Sequence, residues 1–218
     1  MTAHRAVLAA ALALAGCATG AARTKPATLP PPAHQSRAGA STRSAGPAPV
    51  SRPPPPSPEV ARAVDTAAAL VGSRTIVVDG VDYGSGCAAL VRAAFVRAGR
   101  ALPADARDAP AVMAVAERRG ALSHSRRAAA GDLVFLSDRP GGPVAHVGLV
   151  ARVEPDGTLV VLHRVARGVR RVRVNLAYPD RAVDPSTGRH INDTLLVRSQ
   201  AMSAGSLVVG VSDLLRRG

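Results

Sequence analysis

The chain has 218 residues, a formal net charge of +13 and 2% aromatic residues, and Lys25 is its single lysine. Such a basic charge can indicate a nucleic-acid partner, but the arginines are scattered and almost no aromatic side chains are present to stack on bases. No basic recognition motif occurs either, so the composition argues against nucleic acid as a partner.

The N-terminus has the layout of an export signal. A short start that ends in Arg5 precedes an apolar run from Ala6 to Ala15, which is too short to span a bilayer. The segment Leu14-Ala15-Gly16-Cys17 resembles the lipobox of bacterial lipoproteins, in which the cysteine becomes the first residue and is acylated. We therefore expect a lipoprotein signal peptide over residues 1–16 and lipidation of Cys17. The alternative is an ordinary signal peptide with a chance cysteine.

Lipidation of Cys17 would attach the protein to a membrane, since each buried methylene of an acyl chain contributes about 0.8 kcal/mol. Residue 18 is alanine rather than the aspartate that often retains lipoproteins in the inner membrane. We expect an exported protein of the cell envelope, anchored in the outer membrane and facing the periplasm. Because the chain has two cysteines, Cys87 then has no disulfide partner in an oxidising compartment. A lone exported thiol is either buried and inert or kept for chemistry.

Residues 17–58 differ in composition from the rest of the chain. From Arg23 to Pro58 there is no aromatic residue, and proline, alanine, serine and arginine dominate. Such a segment cannot bury enough apolar surface to fold, and its prolines favour an extended conformation of about 3.1 Å per residue. We interpret residues 17–58 as a disordered tether, with a docking site for a proline-binding module as the alternative. Residues 59–218 are long enough for one domain.

The first half of this domain has helical periodicity. Ser57, Pro58 and Glu59 are typical of a helix start, and Gly72 is expected to end that helix. A short strand is predicted over residues 75–78 and a further helix over residues 109–119.

Between these two predicted elements, a glycine-broken turn leads into a helix whose first turn carries Cys87. At 100° per residue one face of this helix holds Cys87, Leu90, Val91, Ala94, Phe95 and Ala98. The free N–H groups at a helix start favour an anion, so the thiol of Cys87 should lose its proton more readily there than in mid-helix. Two interpretations stay open, a nucleophile and a buried core cysteine.

Beyond Gly131 the pattern changes to four strands over residues 131–136, 144–151, 158–165 and 169–176, and their short connections predict an antiparallel meander. The segment Glu154-Pro155-Asp156-Gly157 favours a type I turn. If Glu154 opposes Gly157, then Gly148 opposes His163, and His146 and His163 lie diagonally on one face. A slip of one residue would put the two histidines on opposite faces.

The sequence therefore offers three candidate site residues: Cys87, His146 and His163. A single histidine in a strand is more often an ordinary polar residue, but a diagonal pair in a chain with an unpaired thiol favours nucleophilic catalysis. A zinc site is the alternative, since the three side chains could be ligands, although no close metal-type spacing supports it. We predict no metal and no cofactor.

The residues resemble the NlpC-type cell-wall peptidases, relatives of the CHAP amidases within the papain-like superfamily. The resemblance covers roughly residues 61–176 and rests on four segments, Cys87-Ala88-Ala89-Leu90-Val91, Gly131-Asp132-Leu133-Val134-Phe135, His146-Val147-Gly148 and Leu162-His163. It implies an α+β fold of the papain-like NlpC type, with a helical lobe that carries the cysteine packed on an antiparallel β-sheet.

The resemblance also implies a mechanism and a substrate. Cys87 would be the nucleophile, His146 the base, and His163 the residue that accepts a hydrogen bond from His146 and orients it. The Cys87 N–H, with Tyr83 as a further donor, would stabilise the oxyanion. The implied substrate is a peptidoglycan stem peptide, often cut at a γ-D-glutamyl to diamino-acid bond.

Three positions beside the nucleophile depart from the family pattern. Gly86 stands in place of aspartate, Ala88 in place of serine and Ala89 in place of glycine. A second hypothesis therefore remains, in which the domain is catalytically degenerate and acts as a cell-wall binding or scaffolding lipoprotein.

Overall fold

The computed structural model describes residues 55–125 and 127–217. Helices and antiparallel strands form this part of the chain, which confirms the predicted α+β class. The helices are α1 (Pro58–Ala69), α2 (Cys87–Arg97) and α3 (Ala109–Arg118), and a small hairpin of β1 (Val77–Val78) and β2 (Val81–Asp82) precedes α2. The predicted division into residues 1–16, 17–58 and 59–218 stays a prediction, because the first segment and most of the second lie outside the described residues.

The helices begin and end where local sequence chemistry directs them. The Ser57 hydroxyl caps α1 by accepting from the Val60 N–H, and Pro58 occupies the first helical position. Asp108 caps α3 through the Ala111 N–H at 2.8 Å. Gly99 follows the end of α2 with φ +75, a conformation that suits glycine.

The main sheet has six strands in the order β3-β10-β4-β5-β6-β7, and every neighbouring pair is antiparallel. Four of them are the predicted meander, with bounds that differ by at most about two residues from the sequence expectation: β4 (Leu133–Ser137), β5 (Val144–Val153), β6 (Leu159–Val165) and β7 (Gly168–Val174). The other two are β3 (Leu122–Ser123) and β10 (Val208–Ser212), and a separate hairpin consists of β8 (Thr194–Val197) and β9 (Gln200–Ser203).

The sequence assigned no role to residues 179–218, and the structure places part of them within the sheet. Strand β10 lies between β3 and β4, so the C-terminal segment completes the sheet. A salt bridge links the last turn of the chain to the residue before β4, since Arg216 Nε lies 2.7 Å from Oδ1 of the buried Asp132. The folded domain therefore extends well past the region on which the resemblance rests.

Two apolar layers cover the two faces of the sheet. One layer joins the helices to Phe135, Val147, Leu149 and Leu162, with Phe95 of α2 among its largest buried side chains. The other layer joins alternate residues of the same strands, such as Val150 and Val161, to the C-terminal segment. Because side chains alternate along a strand, His146 and His163 lie on this second face.

Candidate active site

Helix α2 places Cys87 at its first residue, as the sequence predicted. Its N-cap is Gly86, which has extended backbone angles and makes no side-chain capping bond. Leu90, Val91 and Phe95 are buried on the face that the periodicity indicated, whereas Val96 is exposed. The thiol therefore lies at the positive end of a well-anchored helix.

The thiol meets the sheet where the ladder between β5 and β6 begins. The first pair of that ladder is Gly148 with His163, and the backbone of Val147 just beyond it is one of the groups that lower the pKa of Cys87. The imidazole of His146 is the nearby side chain that lowers the pKa of the Cys87 thiol, and the thiol in turn raises the pKa of His146. The predicted pairing of this cysteine with this histidine stays a prediction, which their mutual effect on pKa supports.

Burial of the Cys87 thiol tends to raise its pKa, but the hydrogen bond with His146 and the backbone N–H groups of Val147 and Ala88 outweigh that effect. The pKa of Cys87 is therefore lowered from its ordinary value. The pKa of His146 is raised, first by the hydrogen bond with Cys87 and then, against burial, by the hydrogen bond with Asp138. Opposite shifts in two contacting groups favour a thiolate and imidazolium pair.

The orienting hydrogen bond of His146 does not go to His163, which corrects the sequence expectation. His146 Nε2 lies 2.9 Å from Oδ1 of Asp138, the residue that follows β4. The rings of His146 and His163 instead meet edge to face, with centroids 5.3 Å apart and an interplanar angle of 76°. The register places the two histidines on one face, but the ring of His146 is oriented so that its Nε2 faces Asp138 at the end of β4 rather than His163 on β6.

His163 is 3% exposed, and its burial lowers its pKa to about 4, with the nearby positive groups of His146 and Arg164 acting in the same direction. Within the part of the chain that the structure describes, neither ring nitrogen of His163 has a hydrogen-bond partner. His163 is therefore a neutral, buried ring at any pH near neutrality.

Sequence analysis missed Asp138. It follows the predicted Gly-Asp-Leu-Val-Phe segment by three residues and comes directly after β4, the strand in which Leu136 pairs with His146. Sequence analysis predicted a pairing register for β5 and β6 only. A register predicted in the same way for β4 and β5 could have indicated that Asp138 lies near His146.

The remaining expected residues have different outcomes. Tyr83 is partly buried against the helical core, its backbone N–H donates to the Ile76 carbonyl, and its role at an oxyanion stays a prediction. Cys17 lies outside the described residues. Residues 55–125 and 127–217 contain no group of three or more metal-type side chains that could hold an ion, and no helix in those ranges has the length and apolar character needed to cross a bilayer.

A cavity of about 630 Å³ opens on the second face of the sheet, beside the two histidines. Its walls combine His146 and His163 with apolar residues of the β8–β9 hairpin, among them Leu195 and Leu196, and Arg167 adds a positive charge. The size is suited to part of a peptide.

Comparison with solved structures finds several matches, all of low sequence identity. A NlpC/P60 family protein from Bacillus cereus ATCC 10987 is 19% identical, with 73% of this chain and 41% of that chain covered and a TM-score of 0.45. A protein from Staphylococcus aureus Mu50, described as similar to lipoprotein of the NLP/P60 family, is 22% identical over 53% of this chain and 37% of that chain, with a TM-score of 0.35. Ly7917 is 20% identical over 71% of this chain and 62% of that chain, with a TM-score of 0.40. This chain thus spans between 37% and 62% of the length of these proteins.

A comparison with curated proteins finds no match. A sequence model of the NlpC/P60 family matches residues 73–184, which is more than half of the chain and includes Cys87, Asp138, His146 and His163. The match supports a cell-wall peptidase type of function in general terms. This chain belongs to the NlpC/P60 family.

Proposed function

We propose that this chain is a cysteine hydrolase that cuts amide bonds in peptidoglycan stem peptides. The observation that carries the proposal is the pair of Cys87, at the start of α2, and His146, which shift each other's pKa in opposite directions. A helix start, a free thiol and a contacting imidazole are together what thiolate catalysis requires. Family membership supports the peptidoglycan peptide as the substrate class.

In the first step the Cys87 thiolate attacks the carbonyl carbon of the amide, so that a carbon–sulfur bond forms and the carbonyl oxygen becomes an oxyanion. Backbone N–H groups at the start of α2 are placed to donate to that oxygen. His146 then gives its proton to the amine nitrogen, the carbon–nitrogen bond breaks, and a thioester remains on Cys87.

In the second step a water molecule attacks the thioester while His146 takes the proton from the water. The carbon–sulfur bond breaks, the acid product leaves, and His146 and Cys87 return to their starting state. No external oxidant, reductant or metal enters this balance.

Digestion of purified peptidoglycan followed by mass analysis of the fragments tests the proposal. We expect new peptide termini with the native chain and none with Cys87→Ala. Identical fragment patterns for the two proteins would overturn the proposed activity. Asp79→Asn serves as a control, because Asp79 is exposed, pairs with Arg97 and tolerates asparagine at its φ of +51.

A degenerate, wall-binding domain is the second candidate, and one observation favours it. The aspartate that precedes the nucleophile in the family pattern is Gly86 here, so the N-terminus of α2 has no side-chain cap. A Cβ at Gly86 would meet no atom within 4 Å, so Gly86→Asp fits sterically, whereas Ala88→Ser would add a hydroxyl at a fully buried position. If the native chain binds peptidoglycan without cutting it and Gly86→Asp restores cleavage, the degenerate function is correct.

We propose further that the mature protein is anchored through lipid on Cys17 and faces the periplasm from the outer membrane. The support is the lipobox-like segment that ends at Cys17. Cys17→Ala should leave the protein unprocessed or release it from membranes. Fractionation and electrophoretic migration identical to those of the native protein would overturn the anchor.

A further inference from the structure

We propose that Asp138, rather than His163, is the positioning residue for His146, and that His163 is a neutral ring that packs against it. The inference rests on the proposed cysteine chemistry of Cys87 and His146. It assigns to Asp138 the two tasks of fixing the ring tautomer and stabilising the protonated ring.

The tautomer follows from the chemistry of the contact. An ionised carboxylate can only accept hydrogen bonds, so the 2.9 Å contact between Asp138 Oδ1 and His146 Nε2 requires the proton on Nε2. Nδ1 is then the nitrogen left to take the proton of Cys87. A neutral histidine can accept a proton from a thiol only through a ring nitrogen that carries no proton, and Nδ1 is that nitrogen when the proton is on Nε2.

The three side chains around the His146 ring differ in charge. The side chains that face its ring are Cys87 from α2, Asp138 from the end of β4 and His163 from β6. Only a negative neighbour stabilises an imidazolium, and Asp138 supplies that charge at hydrogen-bond distance. His163 does not do so, because neither of its ring nitrogens forms a hydrogen bond with His146 within the described residues, and in its protonated form it would repel His146.

Asp138 is held in place by its neighbour in the chain. The Ser137 hydroxyl is buried, and its one proton lies between the carbonyl oxygens of Arg139 and Leu207, so that Ser137 and Arg139 on the two sides of Asp138 are linked. A bulge at Ala145 of β5 lies opposite this point, between the pair of Leu136 with His146 and the pair of Ser137 with Val144. The geometry of the contact is therefore set by the strand ends.

His163 contributes shape. An edge-to-face pair with centroids 5.3 Å apart is a favourable aromatic arrangement, and it blocks one side of the His146 ring. Its burial without a hydrogen-bond partner explains why the ring stays neutral. A substitution at residue 138 should therefore change the ionisation of His146, whereas a substitution at residue 163 should mainly change packing, and experiment can distinguish these two effects.

The test measures the pH profile of alkylation of Cys87 by iodoacetamide in the full chain, with mass analysis of the peptide that contains Cys87. Asp138→Asn keeps the size of the side chain and removes the charge. We expect alkylation at pH 6 to slow about tenfold, because loss of a neighbouring charge shifts a pKa by about one unit or more. Asp138→Glu should recover part of the rate, and Asp79→Asn should leave the profile unchanged.

His163→Leu should keep the alkylation rate at pH 6 within about twofold of the native rate while it lowers the melting temperature. If His163→Leu does not fold, His163→Gln replaces it. A slow profile in the His163 variant with a native profile for Asp138→Asn would overturn the inference, as would native profiles for both.

Alkylation needs no substrate, so this test separates the inference from the proposed function. A chain that shows the expected profiles but leaves peptidoglycan intact would contradict the proposed function and support the role of Asp138. A chain that cuts peptidoglycan while Asp138→Asn has a native profile would support the function and contradict the role of Asp138. A nuclear magnetic resonance titration of the His146 ring gives a second readout, in which Asp138→Asn should lower the pKa of His146.

Discussion

Gly148 lies directly opposite His163 across the β5–β6 ladder, and a Cβ at Gly148 would lie 2.5 Å from Val161 Cγ1 and 3.0 Å from the Leu162 carbonyl oxygen. The two strands can therefore approach this closely only because residue 148 has no side chain. Since this pair is the first of the ladder, it also fixes how far His163 lies from His146.

Gly148→Ala should push β6 away from β5 at the site. We expect the free energy of unfolding to fall by about 1–3 kcal/mol, as in other overpacked cores, and hydrolysis to fall with it. Urea unfolding measures the first effect. Gly210→Ala is the matched control, because its Cβ would meet Leu122 Cδ1 at 3.3 Å, the end of a flexible side chain. Equal losses for the two variants would contradict the close approach at Gly148.

Removal of the His146 imidazole should raise the pKa of the Cys87 thiol. In the native chain the hydrogen bond with His146 outweighs burial, which on its own raises the pKa of the thiol. In His146→Ala the burial effect remains and the partner is lost, so the pKa of Cys87 rises. We expect the midpoint of the alkylation profile to move up by about one pH unit or more.

The matched control for that experiment is His190→Ala. His190 also lies near a carboxylate, with Nδ1 3.4 Å from Asp193 Oδ1, but it is half exposed and is not among the residues that act on the thiol. An unchanged midpoint in His146→Ala, or an equal shift in His190→Ala, would show that His146 does not control the thiol.

Local sequence patterns were sufficient to predict the helix of Cys87 and the meander of β4 to β7. The predicted pair of Gly148 with His163 is correct, but it arises from two departures that offset each other. The predicted turn forms, because the Gly157 N–H donates to the Glu154 carbonyl, but the Glu154 N–H donates to the Thr158 carbonyl and so shifts the ladder by one residue. A bulge at Ala151 then returns the ladder to the predicted register. Without that bulge His163 would lie on the face opposite His146.

The sequence could not show the place of β10 or the role of Asp138. Strand β10 pairs with β4 although more than 70 residues separate them in the chain, and hairpin rules do not reach that far. Asp138 meets His146 across a hairpin with a bulge at Ala145, so its position depends on a register that turn residues alone do not fix.

Loss of Arg216 should destabilise the domain in a pH-dependent way. Asp132 is 2% exposed, and burial raises the pKa of its carboxyl group although Arg216 binds both of its oxygens. In Arg216→Met that pKa rises further, because the compensating charge is absent. At pH 7 the buried carboxylate is ionised without its charged partner, and we expect a loss of about 3 kcal/mol in the free energy of unfolding.

The sign of the pH effect follows from linkage. Below about pH 3.9 the carboxyl is protonated in both folded and unfolded chains, so the difference between native and Arg216→Met should shrink as the pH falls toward 4. Urea unfolding of the native chain and of Arg216→Met at pH 7 and pH 4 measures this difference in the free energy of unfolding. Arg217→Met is the control, since Arg217 pairs with Asp213 at the surface and should cost less than about 1 kcal/mol. A loss independent of pH would contradict the pairing with Asp132.

The β8–β9 hairpin should affect substrate binding without affecting the thiol. It lies beyond residue 184, where the family match ends, and Leu196 is 78% exposed while it lines the cavity beside His146 and His163. Leu196→Asp places a charge on that wall and removes no buried contact. We expect KM for a muropeptide to rise several-fold, because loss of the apolar contact costs about 1 kcal/mol of binding free energy. The alkylation profile of Cys87 should be unchanged. Val153→Asp changes another exposed apolar residue, 40% exposed, at the far end of β5 and should leave KM unchanged. If KM responds to neither variant, or to both equally, the peptide does not bind against the hairpin.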